Sequence, residues 1–461
     1  MRPVIAIARN LIVEIFRMRV LLAFIILIIT SYTVFFWWWL AGNEGLADEK
    51  VKTFLSYSLS LCAHVLSFLT IFISIATIAR DIKRKEIFTI TTKPVSRIRY
   101  LLGKILGLLV LNLVLLGLSG FLIYGLARSL QRTEPTTAAE RNRMRELVFV
   151  ARKSVQPVMP DITQQVLEIV EARVKRKIKE QPEYYRHNPV VVKQMRETLI
   201  KDNTKRIINA QRTVEPGKSI LWHFTGIEPL DREKGYVFIR FQQEVSGEPP
   251  DAKVINQWLL GPRNPLEHGG RYVEPQREAV RTVHEFPIPV TEVSPEGDLF
   301  VVYNNSTSNR GTTITFPLKT GMELLYVVGG FEGNFFRTIL MIYLRLLFLS
   351  VLGLAAGAWM SFPVAVLFAL VIFIMGLTSG FLIDALRMEA GEIQRSIAGT
   401  VLQILPQFST YDPVPHIEKG RVVSSELVRQ CLIFLILIKG GLIALAGYLI
   451  FRFRELARVI V

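Results

Sequence analysis

The chain has 461 residues, half of them hydrophobic, and a net charge of +16 at pH 7. Its long apolar runs exclude an ordinary soluble protein and indicate a chain that crosses a membrane several times. The basic residues are scattered and form no known nucleic-acid-binding module, so nucleic acid is not expected as a partner. Their excess instead fits cytoplasmic loops rich in Lys and Arg, and attraction to anionic membrane lipids.

An amphipathic helix is predicted for residues 1–19. Leu11 and Ile15 fall on one face of this helix, whereas Arg9 and Arg17 fall on the opposite face. Such a helix is expected to lie flat at the membrane surface. Packing of a soluble helix on a partner is the alternative interpretation.

Six apolar runs approach or exceed the length of about 20 residues that crosses the hydrocarbon core of a bilayer. They are residues 20–40, 54–79, 101–127, 335–356, 362–383 and 432–451. Three predicted transmembrane helices therefore lie in 20–127 and three in 335–461. The distribution of Lys and Arg places both termini and the 80–104 loop in the cytoplasm, and it leaves residues 128–334 outside.

The extracytoplasmic segment 128–334 is predicted to be an α+β insertion in a polytopic α-helical membrane protein. Residues 137–212 carry apolar residues at helical spacing among charged ones, which predicts helices. Residues 219–328 contain short β-rich runs punctuated by Pro, Gly and Asn, which indicates a part resembling a β-sandwich. The predicted strands are 236–241, 280–286, 299–304 and 312–318. A continuous α/β domain without a separate helical arm is the alternative.

Residues 384–430 separate the fifth and sixth predicted spans. They mix short apolar pieces with charges and with Pro406, Pro413 and Pro415. This pattern is too long for a tight turn and too interrupted for another span. It predicts a broken pair of short helices, partly inserted at the outer face.

Signals for chemistry within the chain are weak. The nearest match to a phosphate-binding loop is Pro216–Ser219, but Arg212 stands where the first glycine belongs. His284-Glu285 lacks the second histidine of a zinc-binding helix, and no GxSxG motif is present. We therefore expect no enzymatic activity, bound metal or cofactor in this polypeptide by itself.

Three ionisable residues lie within predicted spans: His64, Arg345 and Lys439. A central Arg or Lys costs about 2.5–3.5 kcal/mol on insertion scales, so each must meet a partner, water or a cavity. One interpretation is a cationic translocation path that attracts an anionic group such as a lipid phosphate. The other is a structural hydrogen bond to a neighbouring helix, with the charged end reaching toward water.

The 80–104 loop, RDIKRKEIFTITTKPVSRIRYLLGK, carries eight basic residues against two acidic ones. Lys93-Pro94 is expected to end any helix that continues from the preceding span. Ser96 is a candidate N-cap for a helix that enters the third span. The residues between are expected to form a short helix or hook parallel to the membrane. An ordinary cytoplasmic loop is the alternative, but these ordering signals favour a docking surface.

At these residues the chain resembles permease subunits of ABC transporters of the ABC-2 class. The matching pattern is Arg80-Asp81, Glu86, Lys93-Pro94-Val95-Ser96-Arg97, Tyr100 and Gly103-Lys104, with an ending at Phe451–Glu455. The resemblance covers 1–127 and 335–461. It implies a coupling helix seated on a cytoplasmic ATP-binding subunit, which binds the ATP. The residues that it assigns to this coupling are Arg80, Asp81, Glu86, Lys93, Pro94, Arg97, Tyr100 and Lys104.

The resemblance further implies an exporter in the bacterial cytoplasmic (inner) membrane, with a second permease that is identical or different. The insertion at 128–334 departs from simple members of that family, and it is expected to collect cargo, dock an outer partner or seal an exit. A different class of function is also open: a membrane-anchored scaffold or mechanical transmitter whose outer domain a partner ATPase moves, without translocation. A receptor is the third and weakest interpretation.

Overall fold

The structure is a computed structural model that describes most of the chain in two compact units. It describes residues 2–17, 26, 30, 47–84, 96–133, 137–247, 249–309, 311–318, 320–389 and 404–453, apart from the side chains of 250, 384 and 386–389. The helical unit comprises residues 1–151 and 329–461, and the β-rich unit comprises residues 152–328.

Within the described residues, the secondary structure is as follows. The helices are α1 (Arg2–Phe16), α2 (Ala47–Lys83), α3 (Arg97–Thr133), α4 (Ala138–Leu147), α5 (Thr163–Glu180), α6 (Pro182–His187), α7 (Pro189–Ala210), α8 (Pro265–His268), α9 (Phe331–Trp359), α10 (Phe362–Glu389), α11 (Val414–Glu418) and α12 (Ser425–Phe453). The strands are β1 (Val150–Val155), β2 (Thr213–Val214), β3 (Ser219–Phe224), β4 (Tyr236–Gln242), β5 (Glu244–Val245), β6 (Lys253–Gly261), β7 (Arg271–Ala279), β8 (Val283–Pro289), β9 (Leu299–Asn305), β10 (Ile314–Thr315) and β11 (Met322–Gly330).

Five described helices are long and apolar enough to cross a membrane: α2, α3, α9, α10 and α12. They contain five of the six predicted spans, and they support a membrane-embedded protein. The 37 residues of α2 extend about 55 Å, which exceeds the hydrocarbon thickness of about 30 Å. The remaining predicted span, 20–40, lies outside the described residues apart from Ile26 and Thr30.

The helix α1 packs along α3 through two glycines one helical turn apart. A Cβ atom at Gly103 would lie 2.7 Å from Ile7 Cβ, and one at Gly107 would lie 2.7 Å from Leu11 Cδ2. Glycine therefore permits the close approach of the two helices. The apolar face predicted for α1 is buried at Leu11 and Ile15. This face thus packs within the chain, and the position of α1 flat at the membrane surface stays a prediction.

The helix α9 approaches α2 in the same way. A Cβ atom at Gly353 would overlap the Ser74 side chain, and one at Gly357 would lie 3.2 Å from the Ile75 carbonyl oxygen. The spacing of four residues places both glycines on one face of α9. The two helices therefore depend on these glycines for their contact.

A buried polar bridge joins three of the long helices. The Thr70 hydroxyl of α2 donates to Asn112 Oδ1 of α3 at 3.0 Å. Asn112 Nδ2 then donates to Ser350 Oγ of α9 at 3.2 Å. All three side chains are buried, and an unpaired amide in a bilayer would be costly. The bridge thus favours one register of the three helices.

The β-rich unit contains two four-stranded sheets and one of three strands among its described residues. Their strand orders are β1-β11-β4-β8, β3-β9-β6-β7 and β2-β10-β5. Trp222, Trp258 and Tyr303 of one four-stranded sheet share a single core with Phe241 and Tyr326 of the other. A shared core between two sheets is the packing of a sandwich. The prediction of a β-rich insertion in a helical protein is therefore confirmed.

Several details of the predicted insertion are wrong. The segment 137–212 is not helical throughout, because β1 follows α4 and pairs with β11. The predicted strand 312–318 shortens to β10, and Pro317, which has no N–H, cannot extend its pairing. The helix α3 continues to Thr133 and α9 begins at Phe331, and the bounds 128–334 of the outer segment stay a prediction.

Replacing Gly353 with Ala should lower the free energy of unfolding by about 1–3 kcal/mol, because the added methyl group overlaps Ser74. Gly117→Ala is the matched control in α3, since a Cβ atom there would meet nothing within 4 Å. Denaturant unfolding of the full-length protein in mixed micelles measures both changes. Equal stability of the two variants would show that the contact between α2 and α9 does not depend on Gly353.

Candidate functional site

The two ends of the predicted 80–104 coupling loop meet at a buried carboxylate. Asp81, in the last turn of α2, accepts a hydrogen bond from the Tyr100 hydroxyl of α3. Lys104 Nζ lies 2.7 Å from the same Asp81 oxygen. The exposed fractions are 4% for Asp81, 2% for Tyr100 and 5% for Lys104. These three residues, called here the Asp81 cluster, join α2 to α3.

Local helix geometry explains the convergence. Tyr100 and Lys104 are four residues apart and therefore share one face of α3. The Tyr100 N–H donates to the Ser96 carbonyl at 3.1 Å, so α3 begins directly after the predicted cap. Residues 85–95, with Glu86, Lys93 and Pro94, lie outside the described residues. The predicted hook and helix break stay predictions.

Arg97 connects the start of α3 to the end of α12. Its Nη1 atom donates to the carbonyl oxygens of Phe451 at 2.8 Å and Arg452 at 2.7 Å. The last carbonyls of a helix have no partner within the helix, and a cation there also complements the helix dipole. The Tyr100 ring stacks on the Phe451 ring with 5.8 Å between centroids. The ends of α3 and α12 are thus held together.

Arg80 connects α2 to α1. Its Nη1 atom donates to Glu14 Oε1 at 2.8 Å. Glu14 is the only acidic residue in residues 1–17, a signal that sequence reasoning overlooked. With this contact, four helices (α1, α2, α3 and α12) are bonded to one another at the ends of the loop.

The five described coupling residues all make contacts within the chain. Asp81, Tyr100 and Lys104 are too buried to face a soluble partner, so they position the ends of the loop instead. Direct contact with a partner is therefore expected from 85–95, which contains Glu86 and Lys93. No contact with a partner is tested by the structure, and the docking role stays a prediction.

Replacing Asp81 with Ala should lower the free energy of unfolding by about 3–5 kcal/mol, because Lys104 would remain buried without its counter-ion. The double variant Asp81→Leu/Lys104→Met should recover much of this loss. Denaturant unfolding of the full-length protein in detergent measures the difference.

Glu180→Ala is the control for the Asp81 variants, because the pair of Arg176 and Glu180 in α5 is exposed and should contribute less than about 1 kcal/mol. A loss at Asp81 no greater than at Glu180 would contradict the structural role of the Asp81 cluster.

Arg345, one of the predicted path residues, is buried in α9 and turns toward the segment that precedes α11. Its Nη2 atom lies 3.5 Å from Asp412 Oδ1, and its guanidinium lies 5.7 Å from the centroid of the Phe408 ring. Burial lowers the pKa of His416, which lies in α11 directly after this segment. Asp412 is therefore the counter-ion of Arg345 within the described residues.

Lys439, the second path residue, reaches the same segment from α12. Its Nζ atom donates to the Leu405 carbonyl oxygen at 2.5 Å. It lies in a π-helical stretch, Cys431–Gly440, inside α12. π-Helical turns are rare and are frequent at functional sites. No sequence signal identified this stretch.

His64 does not join the other two path residues. Its Nδ1 atom lies 2.6 Å from the Ser60 carbonyl oxygen of its own helix. Its ring packs edge-on against the Phe373 ring of α10, with 6.4 Å between the ring centroids. The structure thus brings Arg345 and Lys439 to one segment, and it gives His64 a local contact. A translocation path through these residues stays a prediction.

Two other polar residues were missed by sequence reasoning although the signals were available. Asn112 is the only side-chain amide in the run 101–127, and it forms the bridge to Thr70 and Ser350. Asp412 is an isolated carboxylate among prolines, and it pairs with Arg345.

Replacing Asp412 with Asn should lower the midpoint of thermal unfolding by at least about 2–4 °C, because Arg345 would lose its counter-ion in a buried setting. Glu426→Gln is the control, since its partner Arg429 is exposed and little change is expected. Differential scanning fluorimetry of the full-length protein measures both. An unchanged midpoint for Asp412→Asn would favour the path interpretation of Arg345.

Comparison with known proteins assigns no family. No family model matches the sequence, and no curated protein or solved structure matches the chain. Among the described residues, no group of three or more His, Cys, Asp or Glu side chains is placed to hold a metal ion.

Proposed function

We propose that this chain is the permease subunit of an ATP-driven ABC-2 type transporter, working as an exporter. The observation that carries the proposal is the bonding of four helices at the ends of the 80–104 loop. A docking loop transmits motion well when its ends are fixed to the elements that must move. The Asp81 cluster and the contacts of Arg97 and Arg80 supply that fixation.

In this proposal a separate cytoplasmic subunit binds and hydrolyses ATP, and the chain itself is not an enzyme. Movement of the loop would pass to α2 and α3 through Asp81 and Lys104. It would pass to α12 through Arg97, and from α2 to α9 through the packing at Gly353. Each of these links is a short polar contact or a close backbone approach. A displacement of one helix would therefore be transmitted to the next.

The proposal places the chain in a bacterial inner membrane with both termini in the cytoplasm. A second permease, identical or different, completes the transporter. Exposed apolar side chains recur every four residues along α3, as at Leu106, Val110, Val114 and Leu118. A face of this kind suits lipid or a second permease. The β-rich unit then lies outside, where it is available to cargo or to an outer partner.

A second candidate is a membrane-anchored mechanical transmitter that moves its β-rich unit without translocating a substrate. One observation favours it. The strand β11 ends at Gly330 and the helix α9 begins at Phe331, so no linker residue separates them. Movement of α9 would act on the end of β11 directly. The two candidates share the ATPase partner and differ in whether a substrate crosses the bilayer.

The charge reversal Glu86→Lys/Lys93→Glu should abolish coupling while leaving the fold intact, because it alters the loop and not its buried ends. We expect ATP hydrolysis to co-purify with the tagged full-length chain from its native membranes. The loop variant should retain less than about a tenth of it, since reversing charges across a docked surface costs several kcal/mol.

The matched control for the loop variant is Lys253→Glu/Glu274→Lys, which exchanges the same charges on exposed positions of β6 and β7. It should retain full ATP hydrolysis. The proposal fails if no ATPase co-purifies with the wild-type chain, or if the loop variant retains as much activity as the control.

A further inference from the structure

A groove of about 950 Å³ lies beside α1 in the helical unit, and its charge is strongly positive. Arginines in α1, directly after α1 and at the end of α2 line it, with a single acidic residue among the described residues. The arginines are Arg2, Arg9, Arg17, Arg80 and Arg84, and the acidic residue is Glu14. The Arg80–Glu14 ion pair forms one wall of the groove.

Two arginines of α1 and the one that directly follows it form one stripe. Arg2, Arg9 and Arg17 are separated by seven and eight residues, which is close to two helical turns. Each of the three is exposed, and none forms an ion pair within the part of the chain that the structure describes. They therefore present concentrated positive charge.

Apolar side chains alternate with this positive charge. Ile5 and Val13 lie in the groove wall between the arginines, with exposed fractions of 59% and 43%. An inorganic anion would gain nothing from them. A ligand that carries a phosphate and an acyl chain would use both kinds of side chain.

The position of the groove along α3 also fits a lipid. The helix α1 packs against α3 at Gly103 and Gly107. At the same level, Leu102 and Leu106 are exposed on the apolar face of α3, which begins one turn earlier at Ile98. The groove therefore lies where an apolar membrane-facing surface starts, which is the level of lipid head groups.

We infer that this groove binds the head group of an acidic glycerophospholipid. The arginines contact the phosphate, and Ile5 and Val13 contact the adjoining acyl chain. An acidic surface of a partner protein is the competing occupant. The alternation of charge with apolar side chains and the start of the apolar face of α3 favour the lipid. The inference does not depend on transport or on an ATPase.

The test measures binding of short-chain phosphatidylglycerol to the full-length protein in neutral detergent by native mass spectrometry. Phosphatidylcholine of the same chain length and inorganic phosphate are the comparison ligands. The variant Arg2→Gln/Arg9→Gln/Arg17→Gln should bind phosphatidylglycerol about tenfold to a hundredfold more weakly, since each basic residue near an anionic lipid contributes about fivefold. Affinity for phosphatidylcholine should be low in both proteins.

The control is Arg141→Gln/Arg145→Gln/Arg173→Gln, which removes the same charge from exposed positions of α4 and α5. It should bind phosphatidylglycerol as the wild type does. A second variant, Arg2→Lys/Arg9→Lys/Arg17→Lys, keeps the charge and should keep most of the binding. It also preserves the test if the glutamine variant does not fold.

Three results would overturn the inference. The first is equal affinity of the wild type for phosphatidylglycerol and phosphatidylcholine. The second is competition by inorganic phosphate at the same concentration as the lipid, which would assign the groove to a soluble anion. The third is unchanged lipid affinity in the glutamine variant, which would show that the arginines do not bind the head group; loss of a co-purifying protein from that variant would then assign the groove to an acidic protein surface.

Discussion

The described part of the helical unit depends above all on the buried carboxylate of Asp81. A single oxygen of this residue is shared by the Lys104 ammonium and the Tyr100 hydroxyl. Because a buried charge is costly when its partner is missing, the ends of α2 and α3 cannot separate without a large loss of free energy. The contacts of Arg97 with α12 and of Arg80 with α1 extend this constraint to two more helices.

Elsewhere in the long helices, polar groups meet the same constraint by other means. Arg345 uses a carboxylate from a broken segment, and Lys439 uses a backbone carbonyl of that segment. Asn112 bridges two hydroxyl groups of neighbouring helices. Each polar group selects one arrangement of its neighbours, since any other arrangement would leave it unpaired in an apolar setting.

The sequence was informative where one local pattern decides the outcome. Runs of about 20 apolar residues identified five helices, and β-rich runs identified much of the insertion. The partners of individual charges were not predictable, because they come from distant parts of the chain: Arg97 meets Phe451, and Arg345 meets Asp412. The strand β1 was missed because its neighbours on both sides are helical. The glycines at 353 and 357 were also missed, since their role appears only when α2 is placed against them.

The π-helical stretch in α12 has a consequence for how the end of that helix is oriented. An α-helix advances about 100° per residue, and π turns are wider and hold additional residues. Each additional residue therefore rotates the following part of the helix by about 100°. A helical wheel that treats Cys431–Gly440 as α-helical therefore places Phe451 on the wrong side of α12. The stacking of Phe451 on Tyr100 requires the phase that the π turns set. Deleting one residue between 431 and 440 would thus turn the last two turns of α12 away from α3, although every side chain there would be unchanged.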